Sequence, residues 1–376
     1  LKESLSFCIF IQIGMLPLII YFQYEAPAFS FLANVAAVPL ATCAFTLAFL
    51  LIFLPYTVFH EAISWMIQGV LWISRQSYGM LTIGHVPFLW VLLFYFMTGL
   101  WIWKKNGQNR HIRISLAYVI MIILIWIPMA RRKSLAFLDV GQGDCFVADT
   151  KSGAIIFDGG SSSEDQVGRY RILPYMKYLG YQKIQIAVIS HMDIDHYSGI
   201  KELLEMGKIK YLGLPEIPKD ETMKKIIGIA KKRGTTIFYL SRGRQITTKD
   251  GSLKVLHPQK NSQMEKNAAS LVMQGKILGY RVLLTGDVEK EGEEELLSEE
   301  LERADILKAA HHGSKNSTSN EFLQKVQPKQ TVISCGKQNR YGHPHLETIH
   351  RLQTYRTKIY RTDRSGAIIF FKRRDG

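Results

Sequence analysis

The sequence predicts two regions in different solvents. Residues 1–133 read as a helical membrane segment and residues 134–376 as a soluble α/β domain. Three observations carry this. Near residue 131 long apolar runs give way to alternating charged and apolar stretches. Beyond that point, short β-branched runs alternate with charged helical stretches, as in a layered α/β fold. Those short runs repeatedly end in aspartate or histidine.

The membrane segment is built from uncharged runs. Residues 5–22, 31–59, 86–103 and 114–130 form the series. About 20 apolar residues cross a hydrocarbon core of roughly 30 Å, so four spans and a multi-pass cell-membrane protein are expected. Glu61–Ile73 ("EAISWMIQGVLWI") is shorter and amphipathic, and reads as interfacial or packed between helices. The first run has no basic n-region and no small-residue cleavage site, so it is not a cleaved signal peptide. Lys104, Lys105, Arg110 and Arg113 precede the last run, and Arg131, Arg132 and Lys133 follow it. Such balanced flanks do not set an orientation. The chain opens on Leu1 without an initiator Met, as expected for a piece of a longer protein.

Lys and Arg number 47 against 32 Asp and Glu, a formal net charge of +15. That balance favours anionic partners: nucleic acid, lipid head groups or phosphorylated polymers. Cys8, Cys43, Cys145 and Cys335 include no CxxC pair, which argues against a cysteine-based zinc site. A Cys145–Cys335 pairing stays open, and the redox compartment is not fixed.

In the second region, "LAFLDVG", "AIIFDGG", "IQIAVISH", "YRVLLTGD", "DILKAAHHGS" and "QTVISCG" read as strands running into loops. Helices are expected over Val167–Leu179, Gly199–Met206, Asp220–Arg233, Glu289–Leu297 and Asn320–Val326. The strands end in Asp158, in "HMDIDH", in Asp287, in His311 and His312, and before His343 and His345. Ligands in layered α/β folds bind beyond strand ends, so one shared site is expected. In "HMDIDH", His191 and Asp193 are two apart and project to one side of an extended chain. Asp195 and His196 follow where the chain turns. One loop can thus direct His191 and Asp193 to one cation, and Asp195 and His196 to a second. Asp287 is a natural bridging carboxylate and His311 a natural closing imidazole. Two such ions would activate a water and stabilise charge developing on a phosphoryl group.

"HMDIDH" resembles the HxDxDH form of the metallo-β-lactamase metal motif. The ordered set "FLDVGQGD", "IIFDGG", "SHMDIDHYSG", "LLTGD", "KAAHHGS" and "YGHPH" resembles the C-terminal hydrolase domain of the ComEC family of competence proteins. "LANVAAVPL" is similar to the end of that family's transmembrane domain. The resemblance covers essentially the whole chain. It implies a four-layer αβ/βα sandwich, a preceding part with further spans and an OB-like domain, and an extracytoplasmic hydrolase domain. It also implies a metal-dependent nuclease of a DNA-uptake channel, degrading the non-transported strand. DNA, the lipid bilayer and other competence proteins would be the partners, and the oligomeric state is not implied.

By position, His191, Asp193, Asp195, His196, Asp287 and His311 would be metal ligands, with the choice between His311 and His312 open. The catalytic set would be Asp195, Lys308 and His343. Lys308 would contact substrate phosphate, Asp158 would support the ligands, and His343 would be a terminal ligand or a proton donor. Asp193 stands where histidine is commoner, which favours Mn²⁺, with Mg²⁺ or Zn²⁺ as the other choices for the two divalent ions. "NAAS" (Asn267–Ser270) departs from a doubled asparagine common in the family.

Several signals read more weakly. Asp139 and Asp144 lie in a glycine turn that serves either structure or a ligand. His257 in "LHP" reads as a satisfied strand-end histidine. Lys224, Lys225, Lys231, Lys232 and Arg233 form a basic helical face, solvated or tracking phosphates. The tail Lys372, Arg373, Arg374 touches lipid, DNA or neither. Two other functions fit the same chain. One is a phosphodiesterase acting on cell-surface phosphorylcholine or teichoic-acid-like substrates. The other is a non-catalytic DNA-binding gate.

Overall fold

A computed structural model of the chain describes residues 2–27, 30–53, 57–74, 79–103, 132–299 and 301–373. It divides into two compact units, Leu1–Met129 with Lys177–Gly180, and Ala130–Met176 with Tyr181–Gly376.

The first unit holds helices Lys2–Gln23, Ser30–Leu50, Thr57–Ser74 and Phe88–Trp103. Strands β1 (Glu25–Pro27) and β2 (Met80–Thr82) form an antiparallel ribbon. The uncharged run 31–59 is not one span: it covers the end of one helix, at Leu50, and the start of the next, at Thr57. Among the described residues one helix, over Ala33–Leu50, is long and apolar enough to cross a membrane. Ile11–Gln23 and Phe88–Leu100 are shorter apolar helices. Phe45, Ile52, Trp65 and Leu89 are exposed, an apolar surface that water disfavours. The fourth expected span, 114–130, lies outside the described residues.

The second unit has fourteen strands in two sheets. They are β3 (Ser134–Phe137), β4 (Phe146–Thr150), β5 (Gly153–Phe157), β6 (Ile184–Val188) and β7 (Ile209–Pro215). Then follow β8 (Thr236–Leu240), β9 (Gln245–Thr248), β10 (Gly251–His257), β11 (Val272–Ile277) and β12 (Tyr280–Leu284). The last are β13 (Ile306–Lys308), β14 (Gln330–Ile333), β15 (Lys358–Arg361) and β16 (Ile368–Phe371). One sheet runs β16-β3-β4-β5-β6-β7-β8, antiparallel up to β5 and parallel beyond it. The other runs β15-β14-β13-β12-β11-β10-β9, parallel from β15 to β12 and antiparallel beyond.

The six strands expected from sequence are β3, β5, β6, β12, β13 and β14. The sheets face each other over one apolar core that includes Phe137, Phe157 and Val188 from the first and Val255, Met273 and Val282 from the second. A second core, with Leu283, Leu307 and Ile333, joins the outer face of the second sheet to Leu296, Phe322 and Leu352. Those three residues lie on helices Lys290–Leu297, Asn320–Val326 and Leu346–Thr354. Helices Ile194–Glu205 and Glu221–Lys232 bury Leu203, Leu204, Met223 and Ile226, completing the fourth layer. This is the expected αβ/βα sandwich. Cys145 and Cys335 are buried, unpaired thiols.

One expected helix begins earlier than its sequence suggests. It starts at Ile194, five residues before Gly199, because the Asp193 carbonyl accepts from the amides of His196 (2.9 Å) and Tyr197 (3.1 Å). Asp195 and His196 therefore sit in a first helical turn. Leu203, fully buried on this helix, fixes its seat. Leu203→Ala is expected to destabilise the unit by about 2–5 kcal/mol, measured as earlier cleavage in urea pulse proteolysis of the whole chain.

Candidate metal centre

The chemistry gathers where β5, β6, β12 and β13 end, at the seam of the two sheets. Asp158 follows β5 in a left-handed conformation, φ 57°. Its Oδ1 accepts from the amide of Ser190 (2.7 Å) and its Oδ2 lies 3.0 Å from His196 Nδ1. Nε2 of the same ring points at Asp287 Oδ2, 3.2 Å away. Asp287 follows β12, with its amide donating to Ser270 Oγ at 3.2 Å. Ser270 also meets His191 Nδ1 at 3.2 Å. The "NAAS" departure thus still contributes a supporting hydroxyl.

After β13 the chain makes a strained turn. His311 (φ 45°, ψ 50°) and His312 (φ 53°, ψ 22°) are both left-handed, a conformation that costs non-glycine residues about 1–3 kcal/mol each. The turn sends the two imidazoles to different places. His312 is buried, with Nε2 3.4 Å from both Asp195 Oδ2 and Asp287 Oδ2, and Nδ1 2.9 Å from the Ser334 carbonyl. His311 is partly exposed, 3.7 Å from Asp287 Oδ2, and tied to Glu289 Oε1 at 2.7 Å. On geometry His312, not His311, is the deeper donor.

Asp144 enters from the "VGQGD" turn. Its carboxylate is ion-paired to Lys308 Nζ, 3.8 Å from His196 Nδ1 and 3.7 Å from His312 Nδ1. A Cβ at Gly143 would collide with the Gly160 carbonyl and come within 2.7 Å of the Asp195 carbonyl, so only glycine lets this turn approach so closely. Asp139 instead accepts from the Gly141 amide (3.2 Å) and closes the turn.

Among the described residues, Asp144, His196, Asp287 and His312 each offer a donor atom within 4.8 Å of the others. Of the expected ligands, His196 and Asp287 lie in this tight group. Asp195 and His311 border it through the contacts given above. His191 and Asp193 form an adjoining pair, Nε2 to Oδ2 3.4 Å, with the His191 and His196 rings 4.1 Å apart. Asp193 also accepts from Lys266 Nζ at 2.7 Å. Asp144 and His312 complete the group; from sequence Asp144 reads as either a structural turn or a ligand, and His312 as the alternative to His311.

Lys308, expected to contact a substrate phosphate, lies among the carboxylates of the cluster. It is 4% exposed, paired with Asp144, 3.7 Å from Asp287 Oδ1 and 3.2 Å from the Gly286 carbonyl. The buried carboxylates demand a counter-charge, and this ammonium supplies it. His343 stacks on His312, centroids 6.1 Å apart, and packs edge-on against His311 at 5.5 Å. His257 Nε2 meets the Ala268 carbonyl at 2.7 Å and its Nδ1 lies 3.2 Å from Glu295; the residue is not among the four clustered donors. Lys224, Lys225, Lys231, Lys232 and Arg233 are exposed. Lys372 pairs with Asp250 (3.2 Å) and Arg373 with Asp305 (3.3 Å), so both are held to this unit, while Arg374 is outside the described residues.

The electrostatics follow from burial. Burial opposes a charged His312, yet Asp287 and Asp144 push its pKa up to about 10. His196 is also raised well above its usual value, by Asp287 and Asp158 against burial. Asp287 is held well below the carboxylate range by His196 and His312, although burial alone would raise it. Burial and the neighbouring His312 and His311 hold His343 down to about 4.

The donor set fits divalent cations. Nε2 of His191, His196 and His312 and Oδ1 of Asp287 are buried with no hydrogen-bond partner. Orphaned polar atoms of this kind are costly unless an ion takes them. Mixed imidazole and carboxylate donors suit such an ion.

Comparison with known proteins agrees with this reading. Residues 138–337 match the family model described as the metallo-beta-lactamase superfamily, and residues 2–108 match the one described as competence protein. ComE operon protein 3 of Bacillus subtilis (strain 168) is 31% identical over 400 residues, covering 97% of this chain and 51% of that protein. Competence protein ComA of Neisseria gonorrhoeae is 30% identical over 248 residues, covering 63% of this chain and 32% of that one. The solved metallo-beta-lactamase fold protein YhfI from Bacillus subtilis superposes with a TM-score of 0.44 at 13% identity, over 63% of this chain and 99% of that one. Fold and site together define a protein of the metallohydrolase class. Residues 138–337 belong to the metallo-beta-lactamase superfamily, and the chain, with its competence-protein region before them, to the ComEC family of competence proteins. It spans about half the length of the Bacillus relative.

His312→Ala is expected to weaken Mn²⁺ binding by more than the roughly 10- to 100-fold typical of a residue that only supports a ligand. His311→Ala should weaken it less. Competition against a fluorescent chelator, with circular dichroism as the folding control, measures both.

Proposed function

We propose that the chain is the C-terminal part of a multi-pass DNA-uptake protein. On this reading its 134–376 domain hydrolyses the phosphodiesters of the DNA strand that is not transported. The observation that carries the proposal is the buried cluster of Asp144, His196, Asp287 and His312, with three orphaned imidazole nitrogens aimed into it or beside it. Similarity to competence proteins supports DNA as the substrate class. The hydrolase domain would lie outside the cytoplasm, and other competence proteins would be partners.

The ligands would be His191, Asp193, Asp195, His196 and Asp287, with Asp144 and His312 added by the geometry and His311 at the edge. Bound divalent ions, Mn²⁺ first among them, would lower the pKa of an attacking water and neutralise charge on the phosphoryl oxygens. The protein's own residues do the rest. Asp158 holds the His196 ring through Nδ1, leaving Nε2 as the donor. Ser190 and Ser270 do the same for His191. Lys308 supplies a positive charge to Asp144 and Asp287. Asp195 orients the approach to His312. His343, stacked on His312 and edge-on to His311, would move a proton at the leaving oxygen.

The whole chain in detergent should cleave labelled DNA when Mn²⁺ is added and stop on chelation. Asp287→Asn should lower the rate by about 100-fold or more, since it removes a carboxylate shared across the cluster. A folded chain that binds Mn²⁺ and leaves DNA intact would turn the assignment towards a cell-surface phosphodiester or a non-catalytic gate.

A further inference from the structure

The loop between β14 and helix Leu346–Thr354 carries "NRYGHPH", and its geometry goes beyond the placement of His343. Tyr341 is 42% exposed. Its ring lies 5.6 Å from that of His343, with 21° between the planes. His343 in turn stacks on His312 at 6.1 Å and 29°. The Arg340 guanidinium carbon stands 4.8 Å over the Tyr341 ring, and its Nη2 donates to the Tyr341 hydroxyl at 2.6 Å. A ladder of flat groups therefore climbs from the buried His312 to an exposed guanidinium and phenol.

The loop is braced from within. Asn339 Nδ2 donates to the carbonyls of Gly336 (2.9 Å) and His343 (2.6 Å), and its Oδ1 accepts from the His343 amide (2.9 Å). Two more exposed apolar side chains adjoin cluster or ladder residues in sequence. Ile194 separates Asp193 from Asp195, and Leu346 follows His345. A ladder of flat groups offers little to tell one duplex backbone from another. It is well matched to the face of an unpaired base, which stacks on aromatic rings and on arginine planes. The cavity of about 590 Å³ beside Asp193 has the opposite character. Asp193, Glu265, Glu289, Glu291 and Glu294 line it against only Lys266 and Lys290, so it repels a phosphate chain.

We propose that Arg340 and Tyr341 form a stacking platform for an unpaired nucleobase next to the scissile phosphate, making the site selective for single-stranded DNA. The proposal rests on the DNA-hydrolysing reading above and adds its strand preference. Arg340 contributes a second plane and a positive charge beside the phosphate that follows the stacked base.

The test measures binding without turnover, using the whole chain in detergent with EDTA present. The probes are a single-stranded oligonucleotide containing 2-aminopurine, the same strand with abasic positions, and a matched duplex. The unaltered chain should bind the first with quenched 2-aminopurine fluorescence, and should bind the abasic strand and the duplex more weakly. Tyr341→Ala should lose the quenching and roughly 5- to 150-fold in affinity, the range for one stacked base. Tyr341→Phe, which keeps the ring, should retain both. The abasic arm needs no variant, so a folding failure in Tyr341→Ala leaves it decisive. Equal binding of normal, abasic and duplex DNA by the unaltered chain overturns the platform and leaves the DNA reading standing. Binding of none of them overturns both.

Discussion

The architecture depends on keeping two carboxylates, Asp144 and Asp287, out of water at the seam between the sheets. Both are nearly fully buried. An isolated buried carboxylate is unsustainable and would neutralise itself by taking a proton. Here each is surrounded by cations or by groups that become cationic: Lys308 beneath, His196 and His312 around. The raised imidazoles and the depressed Asp287 are two views of that one demand for positive charge. A divalent ion meets the same demand with the imidazoles neutral, which is why a structural reading of the cluster is less economical than a metal-binding one.

The fold delivers these groups by repetition of one device. In each sheet the parallel half ends its strands at the seam, and the loop beyond each strand brings in one or two side chains. β5 delivers Asp158, β6 delivers His191, β12 delivers Asp287 and β13 delivers His311 and His312. The strained turn at His311 and His312 and the left-handed Asp158 show that the loops are held, not relaxed. Their strain is tolerated because the strands beneath are fixed by two apolar cores. Gly143 shows how tight the assembly is, since one added carbon there would push the Asp144 turn away from the other loops.

Much of this was legible in the sequence, for physical reasons. Strands β3, β5, β6, β12, β13 and β14 are short apolar or β-branched runs, and such runs can be read without a partner. β4, "FVADT", was missed because its second half is polar. Asp149 and Thr150 are nonetheless buried, Asp149 by pairing with Lys133. β9, at the sheet edge, and β10 beside it mix polar and apolar residues, so their signal is weak. At the site, "HMDIDH" announced itself through density of donors. Asp144 did not, because a lone aspartate in a glycine turn looks like any turn. The distinction between His311 and His312 was beyond sequence altogether. It is set by two backbone conformations that neighbouring non-glycine residues seldom share. The extent of one membrane run was misjudged from apolar texture alone, since 31–59 covers most of one helix and the start of the next.

The outer pair, His191 and Asp193, raises the question of whether the cluster is one site or two. Asp193 is partly solvent-exposed and held by Lys266, whereas the inner group is dry. An exposed lysine–aspartate pair contributes only about 0–1 kcal/mol. It would therefore be a weak competitor for any divalent ion that the buried His191 Nε2 took. The ammonium can swing away at little cost, because its own side chain is exposed. The inner carboxylates face the opposite situation, with Lys308 locked among them by burial. The two halves of the motif thus differ in how freely their counter-charges can leave. If both halves take a cation, that difference would let the inner group hold its ion more tightly than the outer pair.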